Sequence, residues 1–461
     1  MRQMEIAGNN SLFVLLSFEG PDLYSLAGGL GTRIANLSQA LAGKGFPTHL
    51  FFVGDPKLSG EEFMSEDKLV LHRWCQWISE YYPGGVYHGE GDKVNDYSRS
   101  IPPFVIERLV KPALTDDRLV VIQSEEWHTA EAVCQLSEQL RHLGLRDRVV
   151  IFWNANNTFG FDRIDWPRLA ANATITTVSR YMKHIMRELG VNPLVIPNGI
   201  PESALVGAGD WTAARLKERL GADVLLTKVA RYDPTKGWLQ AVEATARLNR
   251  GGRKAVLLAR GGIEPFGEEV MRTARNHGMY VRDVSANGPG VQAALDAIGE
   301  SGEAEVLNLR FHCVPRLLSM LYHVSDAVLA NSTHEPFGLV GLETMAAGGV
   351  AFTGGTGEDY AIHLHNSIVL ETGDPAEIEA YVDYLDAHAG QEDVIRREGR
   401  QTARRFTWTE VIRNLIEKTG LQASLQGVPQ TGVTTQPLPE SLTESRPPMA
   451  AGEPAHVPVG V

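Results

Sequence analysis

The sequence predicts an α/β protein made of two parallel-sheet domains in tandem, and three observations carry that expectation. At 461 residues the chain exceeds what one hydrophobic core supports. Near its start, a short apolar run at residues 12–17 leads into the glycine turn Ala27-Gly28-Gly29-Leu30-Gly31. An amphipathic stretch at 32–41 and a second apolar run at 49–53 follow, which together make a βαβ unit. After Asn198-Gly199 the same alternation begins again.

In order along the first domain, the continuous apolar runs at 119–123, 149–154 and 175–178 read as buried strands. Residues 55–117 are irregular and rich in Trp, Tyr, Gly and Pro. That is long for a connection, so the segment should hold some helix and cover a site. The second series places strands at 224–230, 255–259, 307–311, 327–330 and 349–352, with helices at 238–248 and 339–347. The expected division is 1–199 for the first domain, 200–405 for the second, 406–421 for a helix returning to the first, and 422–461 for a tail. That tail has seven prolines, no aromatic residue and no lysine, a composition expected to stay disordered.

Composition excludes several classes. Forty-three Lys plus Arg against 56 Asp plus Glu give a formal net charge of −13, which disfavours general nucleic-acid or anionic-membrane binding. No apolar run approaches the roughly 20 residues of a membrane span. Asn9 and Asn10 interrupt the place of a signal peptide's apolar core. Cys75, Cys134 and Cys313 lie far apart with no C-x-x-C spacing, so disulfides and zinc are not expected and a cytoplasmic location fits.

The most informative stretch runs from Asn331 to Ala347. Pro336 and Gly338 resist helix, whereas 339–347 favours it after a strand, which puts Glu335 in a loop, 338–340 at a helix N-terminus and Glu343 one to two turns inside. Unpaired amides and a positive dipole end suit phosphate. Carboxylate, amides and carboxylate in that order match a sugar, its diphosphate and a ribose. Were the stretch helical throughout, eight residues would separate the two glutamates by roughly 12 Å, beyond the ~5–5.5 Å of a retaining glycosidase pair and beyond the inverting range. Two exposed glutamates flanking a turn would give the same letters.

This segment resembles the E-x7-E motif of the retaining GT-B glycosyltransferases of group 1, family 4, a set also similar to glycogen synthases. Val229-Ala230-Arg231-Tyr-Asp-Pro-Thr-Lys236-Gly237 resembles the family's G-R-x-x-x-x-K-G loop, with Ala230 in place of glycine. Glu126-Trp127-His128-Thr129 resembles its D-W-H segment. Gly28-Gly29-Leu30-Gly31 is similar to its first glycine loop, although Leu26-Ala27 stand where glycogen synthases carry a lysine. The likeness covers roughly residues 12–420. It implies a GT-B fold, two Rossmann-like domains facing across a cleft, and metal-independent transfer of a hexose from a nucleotide diphosphate sugar to a hydroxyl acceptor. It also implies roles. Arg231 and Lys236 would neutralise the leaving diphosphate, and Glu335 and His128 would contact the donor sugar. Gly28, Gly29, Gly31, Phe337, Gly338, Leu339 and Val340 would hold the donor, with Glu343 on its ribose. No metal or further cofactor is implied.

Asn154, Asn156 and Asn157 lie where the family has a His-Asn pair, and their role is open. Thr177-Val178-Ser179 and Ile196-Pro197-Asn198-Gly199 resemble turns at the end of the family's first domain and read as architectural. Phe406-Thr407-Trp408 opens a segment like the family's last helix. Two other classes share such a fold: a sugar-nucleotide epimerase or phosphorylase, and a binding module without catalysis.

Overall fold

The computed structural model describes residues 6–207, 210–286, 288 and 290–428. Two sheets organise them. The first contains β1 (Ser11–Leu16), β2 (Thr48–Val53), β3 (Glu61–Met64), β4 (Leu69–Trp74), β5 (Leu119–Glu125), β6 (Val149–Ala155), β7 (Thr174–Thr177) and β8 (Leu194–Val195), in the order β3-β4-β2-β1-β5-β6-β7-β8. Every pairing is parallel except β3 with β4. The second contains β9 (Val224–Val229), β10 (Ala255–Arg260), β11 (Val281–Val284), β12 (Val306–Leu309), β13 (Ala327–Ala330), β14 (Ala351–Thr353) and β15 (Ile368–Val369). Its order is β11-β12-β10-β9-β13-β14-β15, parallel throughout.

Why these segments become central strands follows from composition. β1, β5 and β6 are buried at every position and apolar along most of their length, as parallel strands covered on both faces must be. Helices fill the connections and bury their apolar stripes. The helix Gly29–Gly43, for example, buries Ile34, Leu37 and Leu41.

In both sheets the strand order reverses at the middle: β1 lies between β2 and β5, and β9 between β10 and β13. The loops leaving the carboxyl ends of those strands splay apart there and open a crevice, the usual ligand position in such sheets. The four loops concerned carry Glu19 to Gly31, Glu126 to His128, Arg231 to Lys236 and Asn331 to Gly338.

Two expectations need correction. Residues 55–117 hold two strands, β3 and β4, besides the helices Gln76–Ser79, Glu90–Val105 and Lys111–Thr115. The tail does not begin at 422, because the helix Trp408–Leu425 continues past it. Ala423 is buried against the first sheet's core, and Gln426 Nε2 donates to the Val149 carbonyl at 3.1 Å. The expected disorder of 429–461 lies outside the described residues. The helix after Glu335 starts at Leu339, with Glu335 in the preceding loop, where the breakers placed them.

The helix Trp408–Leu425 packs on the first sheet. Trp408, Val411, Ile412 and Leu415 join Phe13, Leu15, Ile34 and Val150 in one buried cluster, and Thr407 bridges to Ile200 beside it.

Candidate active site

A cavity of about 350 Å³ lies between the two sheets at the crevice. From the second sheet come Lys228, Arg231, Lys236 and the turn Glu335 to Val340; from the first come Gly29, Leu30, Arg33, Asn156, Asn157 and Asn198.

The second wall is built by two turns. After β9, Asp233 accepts the Thr235 amide at 2.8 Å and caps the short 3-10 turn Pro234–Lys236, and Gly237 then adopts φ +68. A Cβ at Gly237 would lie 2.4 Å from the Asn331 carbonyl oxygen, so glycine lets this turn pack on the loop after β13. That packing brings Lys236 Nζ to 2.8 Å from Glu335 Oε2, both side chains about one-fifth exposed. Arg231 stands exposed at the rim, while its carbonyl accepts the Trp238 indole N–H at 2.8 Å.

Glu335 is fixed through its backbone. Its amide donates to Thr356 Oγ1 at 3.0 Å, and its carbonyl accepts the Gly357 amide at 2.8 Å. Gly338 then turns the chain at φ +81 into the helix Leu339–Ala347, so the first-turn amides at Leu339 and Val340 face the cavity without intrahelical partners. A Cβ at Gly338 would lie 2.6 Å from Glu358 Cγ and 2.9 Å from Tyr360 Oη. Behind the turn, Glu358 is buried and accepts the Thr356 amide at 3.2 Å, and burial pushes its carboxyl up to about 8.

Several anticipated residues sit differently from the expectation. Phe337 has its backbone at the cavity, but its ring is buried between Tyr360 and Phe406. Glu343 does not line this cavity; it is half-buried within the helix, and burial pushes its carboxyl up to about 7. His128 is also outside it. Its ring stacks on Phe18 at 4.3 Å and Trp127 at 4.0 Å, and Nε2 meets Glu90 Oε1 at 2.9 Å. Burial pushes this imidazole down to about 4, so it is neutral at ordinary pH. Gly28 and Gly31 spend their amides on the Glu19 carboxylate, at 2.9 and 3.0 Å, so of this loop only Gly29 and Leu30 reach the cavity.

Other residues here had no place in the sequence-based expectation. Lys228, on β9, is buried at the cavity floor. Its Nζ donates to the Leu329 carbonyl at 2.9 Å and to Asn331 Oδ1, and burial together with Lys236 pushes it down to about 7. A lysine inside the apolar run Val224 to Val229 was the available signal. Opposite it, Glu125 is fully buried. It accepts Arg33 at 3.3 Å, Asn154 at 2.8 Å and Asn156 at 2.7 Å, while Arg33 also donates to Asn198 Oδ1. The Asn198 turn therefore braces the cleft floor as well as turning the chain. Glu126 next to it holds φ +65, a conformation rare outside glycine, and burial pushes its carboxyl up to about 8. Among the described residues no group of three or more His, Cys, Asp or Glu is placed to hold a metal ion, and no helix is long and apolar enough to cross a membrane.

Comparison with known proteins agrees with this architecture. Residues 215–402 match the family model described as glycosyl transferases group 1. No curated protein matches by sequence. Among solved structures, sucrose-phosphate synthase from Thermosynechococcus elongatus superposes with a TM-score of 0.64 at 17% identity, covering 90% of this chain and 100% of that one. A glycosyltransferase from Rickettsia africae gives 0.61 at 15%, covering 89% and 99%. The catalytic domain of starch synthase IV from Arabidopsis thaliana, bound to ADP and acarbose, gives 0.61 at 15% over the same shares. At such identities the likeness is one of fold. The chain has the GT-B fold, and its residues 215–402 match the glycosyl transferases group 1 model.

Proposed function

We propose that the protein is a retaining glycosyltransferase that moves a hexose from a nucleotide diphosphate sugar to a hydroxyl acceptor. The observation that carries this is the single cavity in which Lys236 pairs with Glu335 at 2.8 Å, beside Arg231 and the first-turn amides of Leu339 and Val340. Two cations and a helix N-terminus on one wall suit a diphosphate, and a carboxylate within reach of them suits the hydroxyls of the sugar attached to it.

In this mechanism the bond from the anomeric carbon to the phosphate oxygen breaks as the acceptor oxygen bonds to the same face. The acceptor proton passes to the departing phosphate oxygen. Arg231, Lys236 and the helix amides stabilise the charge that develops there, so the protein cations serve where a metal would otherwise act. Lys236 then exchanges part of its contact with Glu335 for phosphate, which frees Glu335 for the sugar. His128, neutral and stacked on Phe18 and Trp127 outside the cavity, moves no proton.

The test begins with melting temperatures against UDP-, ADP- and GDP-sugars, followed by mass analysis of products. Lys236→Ala should cost turnover by ~10²–10³, the scale of one strong oxyanion donor, with the melting temperature preserved. Turnover should also persist in EDTA. Near wild-type turnover in Lys236→Ala, or an absolute need for a divalent ion at the chemical step, would contradict the assignment.

A further inference from the structure

The glycosyl transfer described above makes no use of Lys228, yet this residue lines the same cavity as Lys236 and Glu335. It lies on β9 with about 1% of its surface exposed, in a run otherwise of Val, Leu and Thr. Its surroundings satisfy an amine without demanding an ammonium. Nζ donates to the Leu329 carbonyl at 2.9 Å and to Asn331 Oδ1, two bonds that a neutral amine makes with its two N–H groups. Ala259 lies beside it on β10, and the Trp238 ring is 5.5 Å from Nζ. The charged groups that face it are Lys236, from the turn after β9, and Glu335, from the loop after β13. Those two pair with each other at 2.8 Å, and among the described residues no carboxylate pairs with Lys228. Across the cavity Arg33 is matched by Glu125. Nothing in the empty cavity offsets the burial of a charge at Lys228, and burial together with Lys236 pushes it down to about 7.

Building on the reading of this cavity as a diphosphate site, we infer that Lys228 is a third cation for the diphosphate, taking up a proton from solvent when the anion enters and releasing it when the anion leaves. A diphosphate drawn to Arg231, Lys236 and the amides of Leu339 and Val340 brings its negative charge into the cavity that Lys228 lines. That charge supplies what the empty site lacks, and the ammonium gains a third N–H that neither Leu329 nor Asn331 uses. The site is cationic when loaded and spared a buried charge when empty. A plainer role is that of a clamp: Lys228 holds Asn331, whose side-chain amide donates to the Gly237 carbonyl at 3.3 Å and so ties the Lys236 turn to the Glu335 loop. A clamp alone would not change its charge on binding.

The test titrates UDP, ADP and GDP calorimetrically into the full chain at pH 8.5, where a free terminal phosphate is already ionised, in buffers of different ionisation enthalpy. Whichever nucleotide binds should bring about one proton per site, and its affinity should fall by up to about tenfold from pH 7.5 to 8.5. Lys228→Gln keeps an N–H for Leu329 or Asn331 and cannot titrate; Lys228→Met keeps only the apolar stem. Either variant, once its melting temperature shows it folded, should bind without proton uptake and with an affinity flat over that range. Wild-type binding without uptake would overturn the inference. So would uptake that persists in Lys228→Gln, since the proton would then belong to another group such as Glu126 or Glu358, both held near 8 by burial. Either result leaves the glycosyltransferase reading standing, whereas binding of none of the three nucleotides would defeat that reading and this inference with it.

Discussion

At the scale of single residues, the sharpest constraint is Gly338. Its φ of +81 is strained for any other residue, and a Cβ would meet Glu358 and Tyr360 inside 3 Å. Gly338→Ala should therefore lower stability by about 1–3 kcal/mol in urea unfolding and raise the Kd for nucleoside diphosphate by disturbing the helix amides. Glu358, behind it, gives a pH-dependent prediction. Its folded value of about 8 lies above the ordinary 4.5. The stability it contributes is therefore complete below pH 4.5 and lost as pH rises through 8, where a buried carboxylate must ionise. Glu358→Gln keeps an oxygen for the Thr356 amide and cannot ionise. It should match wild type near pH 5 and exceed it at pH 9 by about 2–4 kcal/mol. Equal stabilities at pH 9 would contradict the buried, neutral state. Glu358 was illegible in the sequence, because its burial arises from Gly338 and Tyr360 closing over it. Glu335 and Lys236 stood out in the sequence because each lies beside a breaker, Pro336 or Gly237, and the structure brings them together at 2.8 Å.

Among elements, the turn and helix from Glu335 to Ala347 place their two glutamates in different settings. Glu335 stands in the turn at the cavity, whereas Glu343 is inside the helix and outside the cavity lining. If Glu343 grips ribose, Glu343→Ala should weaken nucleoside diphosphate binding by about 10- to 150-fold, the worth of a charge-assisted hydrogen bond. Glu335→Ala should leave that affinity nearly intact and cost single-turnover rate instead, because the sugar loses its orientation. Calorimetry beside rapid-quench rates distinguishes them, and the reverse pattern would invert the order assigned to this segment. The element itself was readable: β13 and the helix Leu339–Ala347 fall where apolar runs and breakers placed them. β3 and β4 were not. β3 is a short edge strand exposed at every position, so no buried face imposes a pattern on it. β4 is interrupted by His72 and Arg73, and Arg73 is tolerated because Asp22 meets it at 2.8 Å from a distant loop and Glu62 of β3 at 2.6 Å.

Across the whole molecule, the tandem architecture was legible because length and the repeated strand–helix alternation do not depend on side-chain detail. The end of the fold was not, since its composition shifts before its helix stops. Truncation after Leu421 should lower stability by about 1–2 kcal/mol, through the loss of buried Ala423 and the Gln426 bond to β6. Truncation after Val428 should leave melting temperature and nucleotide affinity unchanged. Indistinguishable melting curves for the two truncations would remove any role for residues 422–428.

The return of the helix Trp408–Leu425 to the first sheet also dictates an order of events during synthesis. On one face of that sheet Phe13, Leu15 and Val150, together with Ile34 of the helix Gly29–Gly43, form a cluster that is completed only by Trp408, Val411, Ile412 and Leu415, which emerge after the entire second sheet has been made. At roughly 5–20 residues per second, the nascent first half waits on the ribosome with part of an apolar face uncovered for about ten seconds or more. Chaperone demand should fall on this interval, and a ribosome stalled before Trp408 should hold a chain whose first half is soluble only while it is protected.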